Sequence, residues 1–436
     1  MSSLTIGLIG ILFFFLLIIL RMPIAFAMAL VGFVGFSYMT STSTAMTMVV
    51  REIFSSFSSY SLSVIAMFCW MGFLAYYSGI GTRLYTFAYR LMGHWTGGLA
   101  IATQFACGAF GAICGSNTAT AATMGAIALP EMRKYKYDNS LATASVGSGG
   151  VLGVLIPPSV IFIVYGMATE QSIGRLFIAG ILPGILLMAL YQLTIMVLTR
   201  MNPALAPAGP RFSWKERLDS LKGGLGEVLV VFAISMGGLF AGWFTATEAG
   251  AVGAAGVLLV ALIGRAINWD GFKNSLYDTT RTTAMIMLLI AGSVIFGRFM
   301  AVSRIPFELA SWTASLDLPA FMVMAVILFI YLILGCFIDA LAMILLTIPI
   351  FYPIAVDTLG YDPIWFGVII VLVVAMGVIT PPGGMNIYIL KGVVPDIPLE
   401  TMFKGVWPFL LAIIVCLVLI MIFPQIALFL PNLIAG

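Results

Sequence analysis

Apolar residues run along this chain in long unbroken stretches, and charged residues gather between them. Stretches long enough to span a bilayer, about 20 residues each, begin near Leu4, Pro23, Ser61, Ile173, Gly226, Ala251, Met285 and Met402. Two more, Leu141–Ala168 and Phe366–Leu390, are interrupted by Pro157-Pro158 and Pro381-Pro382. Proline removes a helix hydrogen bond, so these predict helices broken at membrane depth. Two further apolar regions, about 95–130 and about 319–353, carry small and polar residues at their centres. They predict re-entrant helical hairpins. The pattern is that of an all-α polytopic membrane protein.

One long polar connection, 200–224, holds Pro203, Pro207 and Pro210. It divides the chain into halves, 1–199 and 225–436, each with one hairpin (about 95–130, about 319–353) and one broken helix (about 141–168, about 366–390).

Composition agrees with this pattern. Hydrophobic residues make up 62% of the chain and charged residues 8%, against about 45–50% and about 25% in soluble domains. So few charges cannot cover a water-facing surface of 436 residues, and the lipid bilayer must be the main solvent. Net charge is +3, with the basic residues spread through short loops, which argues against a nucleic-acid partner. Cys69, Cys107, Cys114, Cys336 and Cys416 lie inside apolar runs without CxxC spacing and read as small buried residues. A single histidine, His94, builds neither a zinc site nor a His-based triad.

Met1–Thr5 lacks a basic n-region and Arg21 directly follows the first apolar run, so the first span reads as uncleaved, with its N-terminus outside. Ten crossings and two hairpins then put most Lys and Arg on inner loops or span ends. Only Arg51, Arg175 and Arg304 fall outside, and Arg298 lies within a span. That asymmetry satisfies the positive-inside rule and places both termini on the periplasmic side.

The second half repeats the first. Gly153-Val-Leu-Ile-Pro-Pro158 aligns with Gly377-Val-Ile-Thr-Pro-Pro382, and Tyr137-Asp138 with Tyr361-Asp362 at the same spacing. Cys114 and Asn117 align with Cys336 and Asp339 at a slightly shorter one. The loop after the first hairpin, Glu131–Asp138, is rich in cations, whereas its counterpart Ala355–Asp362 has two acids and no base. Equivalent loops of opposite charge belong on opposite faces. Inverted repeats with broken helices at matching positions mark secondary transporters and their binding sites.

Two site candidates follow. At the first hairpin tip, Gly115 permits reversal, and Ser116, Asn117 and Thr118 are good N-caps for the returning helix. Their oxygens, with freed carbonyls near Gly153 and Pro157, suit Na⁺ or substrate; plain capping is the alternative. The second candidate is Asp339 with Thr380-Pro-Pro-Gly-Gly-Met-Asn386. Asp339 is the only acid in its apolar run, and such a carboxylate is costly unless it serves an ion, a proton or a neighbouring helix. Gly383 and Gly384 allow close backbone approach, and Asn386 offers donor and acceptor. Arg298 is a candidate clamp for a substrate carboxylate, or a residue that snorkels to the interface. Thr245-Ala-Thr-Glu248 reads as a capping box. No Walker sequence G-x-x-x-x-G-K-[ST] occurs, so there is no ATP site of that type and energy should come from an ion gradient.

The stretches CGSNTATAATMGAIALPEM, PPSVIFIVYGMATEQSIGRLFIAGILPG, FTATEAGAVGA and FIDALAMILLTIPIFYPI…ITPPGGMNIY together resemble the large membrane subunit of the TRAP (tripartite ATP-independent periplasmic) transporters. The resemblance covers essentially the whole chain. It implies a bacterial inner-membrane permease with an elevator-type transport domain sliding against a scaffold. It also implies Na⁺-coupled symport of an organic acid such as a C4-dicarboxylate or sialic acid. A periplasmic substrate-binding protein and a small four-helix membrane subunit are the implied partners. Na⁺ would be held by Ser116 and Asn117 with Gly153 and Pro157, and by Asp339 with Thr380, Pro382 and Gly383. The substrate would lie between the tips, near Ser116, Asn117, Gly384, Asn386 and Arg298. A membrane-embedded enzyme and a passive anion channel are the rival readings; uptake that needs both a Na⁺ gradient and a binding protein separates them from a carrier.

Overall fold

In lipid a backbone must satisfy its own hydrogen bonds, and the computed structural model describes residues 2–221, 225–315 and 318–435 as helices joined by turns and short loops. The first half supplies α1 (Ser3–Ile19), α2 (Ile24–Met39), α3 (Thr42–Phe57), α4 (Ser63–Tyr77) and α5 (Ile80–Met92). It continues with α6 (Gly98–Cys114), α7 (Asn117–Lys134), α8 (Asn139–Leu155), α9 (Val160–Ala168) and α10 (Ile173–Met201). The connection, of which 222–224 lies outside the described residues, contains α11 (Trp214–Leu221), and after it come α12 (Leu225–Phe240), α13 (Ala246–Ile263), α14 (Trp269–Ser303) and α15 (Ile305–Ser315). The chain ends with α16 (Ala320–Gly335), α17 (Ala340–Tyr352), α18 (Pro363–Gly377), α19 (Met385–Val393), α20 (Leu399–Ile422) and α21 (Gln425–Ala435).

Among the described residues, six helical segments are long and apolar enough to cross a membrane, or up to eight if each bent pair counts as one. The ten crossings expected from the sequence would have to include shorter apolar helices such as α1, α2 and α18. A helix of 17 residues is only about 25 Å long, a little less than the hydrocarbon core of about 30 Å. Hydropathy also misjudged one start: α14 begins at Trp269, capped by Asn268, well before the apolar run near Met285. Its first turns carry Asp270, Lys273, Asp278 and Arg281, polar residues that a hydropathy reading assigns to a loop. The amphipathic helices α3 and α5 escaped for the same reason. Thr245 and Glu248 do form the capping box that starts α13.

Two helices form the centre. Every residue of α8 from Leu141 to Leu155 is buried, as is every residue of α18 from Ile364 to Gly377. α6, α7 and α20 pack on α8; α16 packs on α18. α2 and α4 pack against α14, and α13 against α4.

Close helix crossings need glycine. A β-carbon on Gly111 of α6 would lie 2.5 Å from the Gly153 Cα of α8, and one on Gly377 of α18 would lie 2.7 Å from the Gly335 Cα of α16. Gly111 and Gly335 are separated by the same number of positions as Gly153 and Gly377. In each half a leg of the hairpin thus crosses the helix before the Pro-Pro pair at bare backbone. Asp138 and Asp362 cap α8 and α18 alike, each accepting two backbone N–H bonds.

Candidate functional site

The first tip is a two-residue reversal between α6 and α7. Gly115 adopts φ 64°, and a β-carbon there would sit 2.7 Å from the Pro158 carbonyl oxygen, so only glycine fits. Ser116 caps α7: its Oγ accepts from the Ala119 N–H at 3.3 Å and lies 3.1 Å from the Thr118 hydroxyl. The tip rests on the break between α8 and α9, where Val160 N–H bonds to the Gly115 carbonyl at 3.4 Å. Gly153 lies beneath it. A β-carbon on Gly153 would meet Thr120 Oγ1 at 2.6 Å and the Ser116 carbonyl at 2.9 Å.

The second tip joins α16 to α17. Asp339 caps α17, accepting from the Leu341 N–H at 3.1 Å. Gly383, in the break between α18 and α19, packs so tightly on the Cys336 carbonyl that a β-carbon would overlap it. Gly384 (φ 37°) closes the break by donating its N–H to the Thr380 carbonyl at 2.9 Å, and Thr380 Oγ1 donates to the Met376 carbonyl at 2.7 Å.

Both tips open on one cavity of about 440 Å³. From the first come Gly115 to Ala119, and from the second Asp339, Ala340 and Leu341. Val154 of α8, Val160 and Ile161 of α9 and Ile389 of α19 also line it. The opposite wall is Cys69, Gly72 and Phe73 of α4 with Thr282, Met285 and Ile286 of α14. Sequence reasoning missed that wall. Its one hydroxyl, Thr282, stands in the polar run Asp278–Thr283 just before the apolar stretch, so nothing there marked it as part of a site.

Of the residues singled out from sequence, Ser116, Asn117 and Asp339 line the cavity. Gly153, Pro157, Thr380, Pro382, Gly383 and Gly384 belong to the two helical breaks or the helix ends beside them and do not line it. Asn386 is fully buried; its Nδ2 donates to the Gly147 carbonyl at 3.0 Å. Arg298 lies elsewhere. Its guanidinium pairs with Glu52 of α3 at 2.9 Å, and its side chain is 58% exposed.

The cavity's chemistry is narrow. Its lining offers one carboxylate, the hydroxyls of Ser116, Thr118 and Thr282, and the Asn117 carboxamide, but no Lys or Arg. The N-termini of α7 and α17, where backbone N–H groups carry partial positive charge, lie at it. Behind the first tip, Thr120 Oγ1 is buried without a hydrogen-bond partner beside the Ser116 carbonyl. Hydroxyl, amide and carbonyl oxygens with one carboxylate fit a hard cation. Away from the cavity, Arg133 donates to Asp396 at 2.7 Å and holds that carboxyl below its ordinary range. Desolvation and the nearby Arg217 and Arg211 push the His94 imidazole down, towards its neutral form.

Residues 11–426 match the family described as "Tripartite ATP-independent periplasmic transporter, DctM component". The chain is 37% identical to the C4-dicarboxylate TRAP transporter large permease protein DctM of Pseudomonas aeruginosa, over 87% of this chain and 88% of that one. It is 33% identical to the sialic acid TRAP transporter large permease protein SiaM of Vibrio cholerae, over 95% and 96%. Its fold is similar to that of the Alcanivorax borkumensis YdaH transporter, with a TM-score of 0.62 at 13% identity, over 88% of this chain and 89% of that one.

Proposed function

The chain belongs to the family of tripartite ATP-independent periplasmic transporters, as the DctM or large permease component, and from that premise we propose that it imports an organic acid anion on a Na⁺ gradient. It is a multi-pass membrane permease subunit, not an enzyme. The C4-dicarboxylate and sialic acid named for two relatives support a small anion with one or two carboxylates as the substrate class.

One observation carries the reading. Two hairpin tips, each resting on a broken helix, share one cavity that contains a carboxylate and no basic side chain. An anion placed there meets helix N-termini and hydroxyls but also the Asp339 charge, so its binding requires that charge to be offset. Bound Na⁺ would supply that offset. Ser116, Asn117, Gly153 and Thr120 with the first break, and Asp339 with Thr380, Pro382 and Gly383, are the residues to hold it. Substrate would bind only after cations, which is the condition for coupling.

The two halves are read as inverted repeats. The hairpins, α8, α9, α18 and α19 form the moving unit, and α2, α4, α13 and α14 the scaffold that supplies the opposite wall. In this elevator arrangement the cavity is carried from one side to the other. A periplasmic binding protein delivers the substrate, a small four-helix membrane subunit braces the scaffold, and both termini of this chain lie in the periplasm.

The test is reconstitution into liposomes with the small subunit. Uptake of the acid should require inward Na⁺ and the loaded binding protein together. Uptake without Na⁺, or equal uptake from free substrate alone, contradicts the proposal.

A further inference from the structure

Besides the central cavity, a recess of about 630 Å³ opens between α5 and α7 where the connection crosses them. We infer that this recess binds the phosphodiester headgroup of a membrane phospholipid. The inference rests on the chain being a membrane permease, not on Na⁺ coupling.

Two cations from different elements flank it: Arg90 on α5 and Lys134 on the last turn of α7. Arg90 is fixed there by two contacts. Its Nη1 donates to the Glu216 carbonyl at 3.2 Å, and its guanidinium lies 6.0 Å from the Phe212 ring centre. Lys134 is only weakly engaged, its Nζ 3.9 Å from Glu131 and largely exposed. Both cations therefore keep donors free. Deeper in, Tyr85 lines the recess; the residue is 2% exposed and its buried hydroxyl has no hydrogen-bond partner. A buried hydroxyl left alone is destabilising, and a phosphate oxygen is an acceptor that would satisfy it. Glu131 is the one carboxylate in the lining. It opposes a bare anion but accepts from the hydroxyls or ammonium of a lipid headgroup.

The surroundings favour a lipid over a soluble phosphate. Ala126 and Ile127 of α7 continue the recess as apolar surface, a path for an acyl chain. Basic pockets at the ends of membrane helices are suited to headgroups. The position also gives the lipid leverage. The connection is tied to the first hairpin by Gly209 N–H to the Gly93 carbonyl (2.8 Å), Gly97 N–H to the Ala206 carbonyl (3.0 Å) and Asp138 N–H to the Leu205 carbonyl (2.8 Å). A headgroup bridging Arg90 and Lys134 would add a further link between α5 and the hairpin.

The experiment is native mass spectrometry of the full-length chain in detergent, titrated with phosphatidylglycerol. Wild type should hold one lipid more tightly than the rest. R90Q/K134Q should lose that affinity by roughly tenfold or more, since each cation near a headgroup contributes substantially. A charge-matched control, K273Q/K404Q, should not. Inorganic phosphate at millimolar concentration should not displace the lipid. Should the double variant fail to fold by thermal melting, Tyr85→Phe, which removes one oxygen, should still weaken the tight lipid severalfold. Unchanged binding in the folded variants, or displacement by inorganic phosphate, would overturn the inference.

Discussion

Asn386, just after the second Pro-Pro pair, donates its carboxamide to the Gly147 carbonyl of α8 at 3.0 Å, across 239 positions of sequence. The bond joins the broken helix of one half to the central helix of the other. Nothing of this reaches the cavity, because the Asn386 side chain is fully buried. Its amide oxygen has no partner. A hydrogen bond between the two halves at that depth would fix their relative position.

Asn386→Leu keeps a similar volume and removes one hydrogen bond, a loss of about 0.5–1.5 kcal/mol. The variant should therefore fold and melt near wild type, while the maximal uptake rate falls at least fivefold and KM for the acid changes little. A large rise in KM with an unchanged rate would return Asn386 to the role of substrate contact that its sequence position first suggested.

Asp339 has two candidate duties, as cap of α17 and as intramembrane charge, and Asp339→Asn separates them. Asparagine caps a helix about as well as aspartate, so stability should hold. Na⁺-driven uptake should be lost. If the D339N variant transports with wild-type Na⁺ dependence, the carboxylate is a cap only.

The glycines beneath the tips differ in what would have to move. At Gly383 a new methyl overlaps the Cys336 carbonyl, which is backbone. At Gly153 it meets the Thr120 hydroxyl, which can rotate, but also the Ser116 carbonyl. Overpacking costs about 1–3 kcal/mol, so Gly383→Ala should lower the melting temperature most and Gly153→Ala less. Gly237→Ala, with nothing within 4 Å, should be neutral or stabilising. Equal melting of all three would show that the hairpins do not dock as described.

Arg298 was the sequence's candidate for a carboxylate clamp, and the structure gives it another partner. Its Nε donates to Glu52 at 3.0 Å. A partly exposed pair of this kind contributes at most about 1 kcal/mol. Arg298→Gln should leave KM for the acid within about twofold of wild type; a tenfold rise would reinstate the clamp.

Much of the architecture was legible because lipid leaves few choices. Apolar runs had to be helices, and the Pro-Pro pairs had to interrupt them. Residues with unusual local duties, such as Gly115, Ser116 and Asp339, announced the tips by type alone. The wall facing the tips was not legible, since Cys69, Phe73, Met285 and Ile286 are ordinary membrane residues whose role depends on which helix stands opposite. The partner of Arg298 was not legible for a related reason. Sequence shows that a charge sits in a span, but its partner Glu52 lies on α3, an amphipathic helix too polar to register as membrane structure.

The proposed pocket depends on the two hairpins entering from opposite faces of the bilayer. Lys136 follows the first hairpin and Asp357 the second, and both are exposed. Single cysteines at these positions, in a chain with its five native cysteines replaced, can be labelled with a membrane-impermeant thiol reagent on intact cells. Asp357→Cys should react from outside and Lys136→Cys only after the membrane is opened. Labelling of both from the same side would contradict the inverted arrangement and, with it, the pocket between the tips.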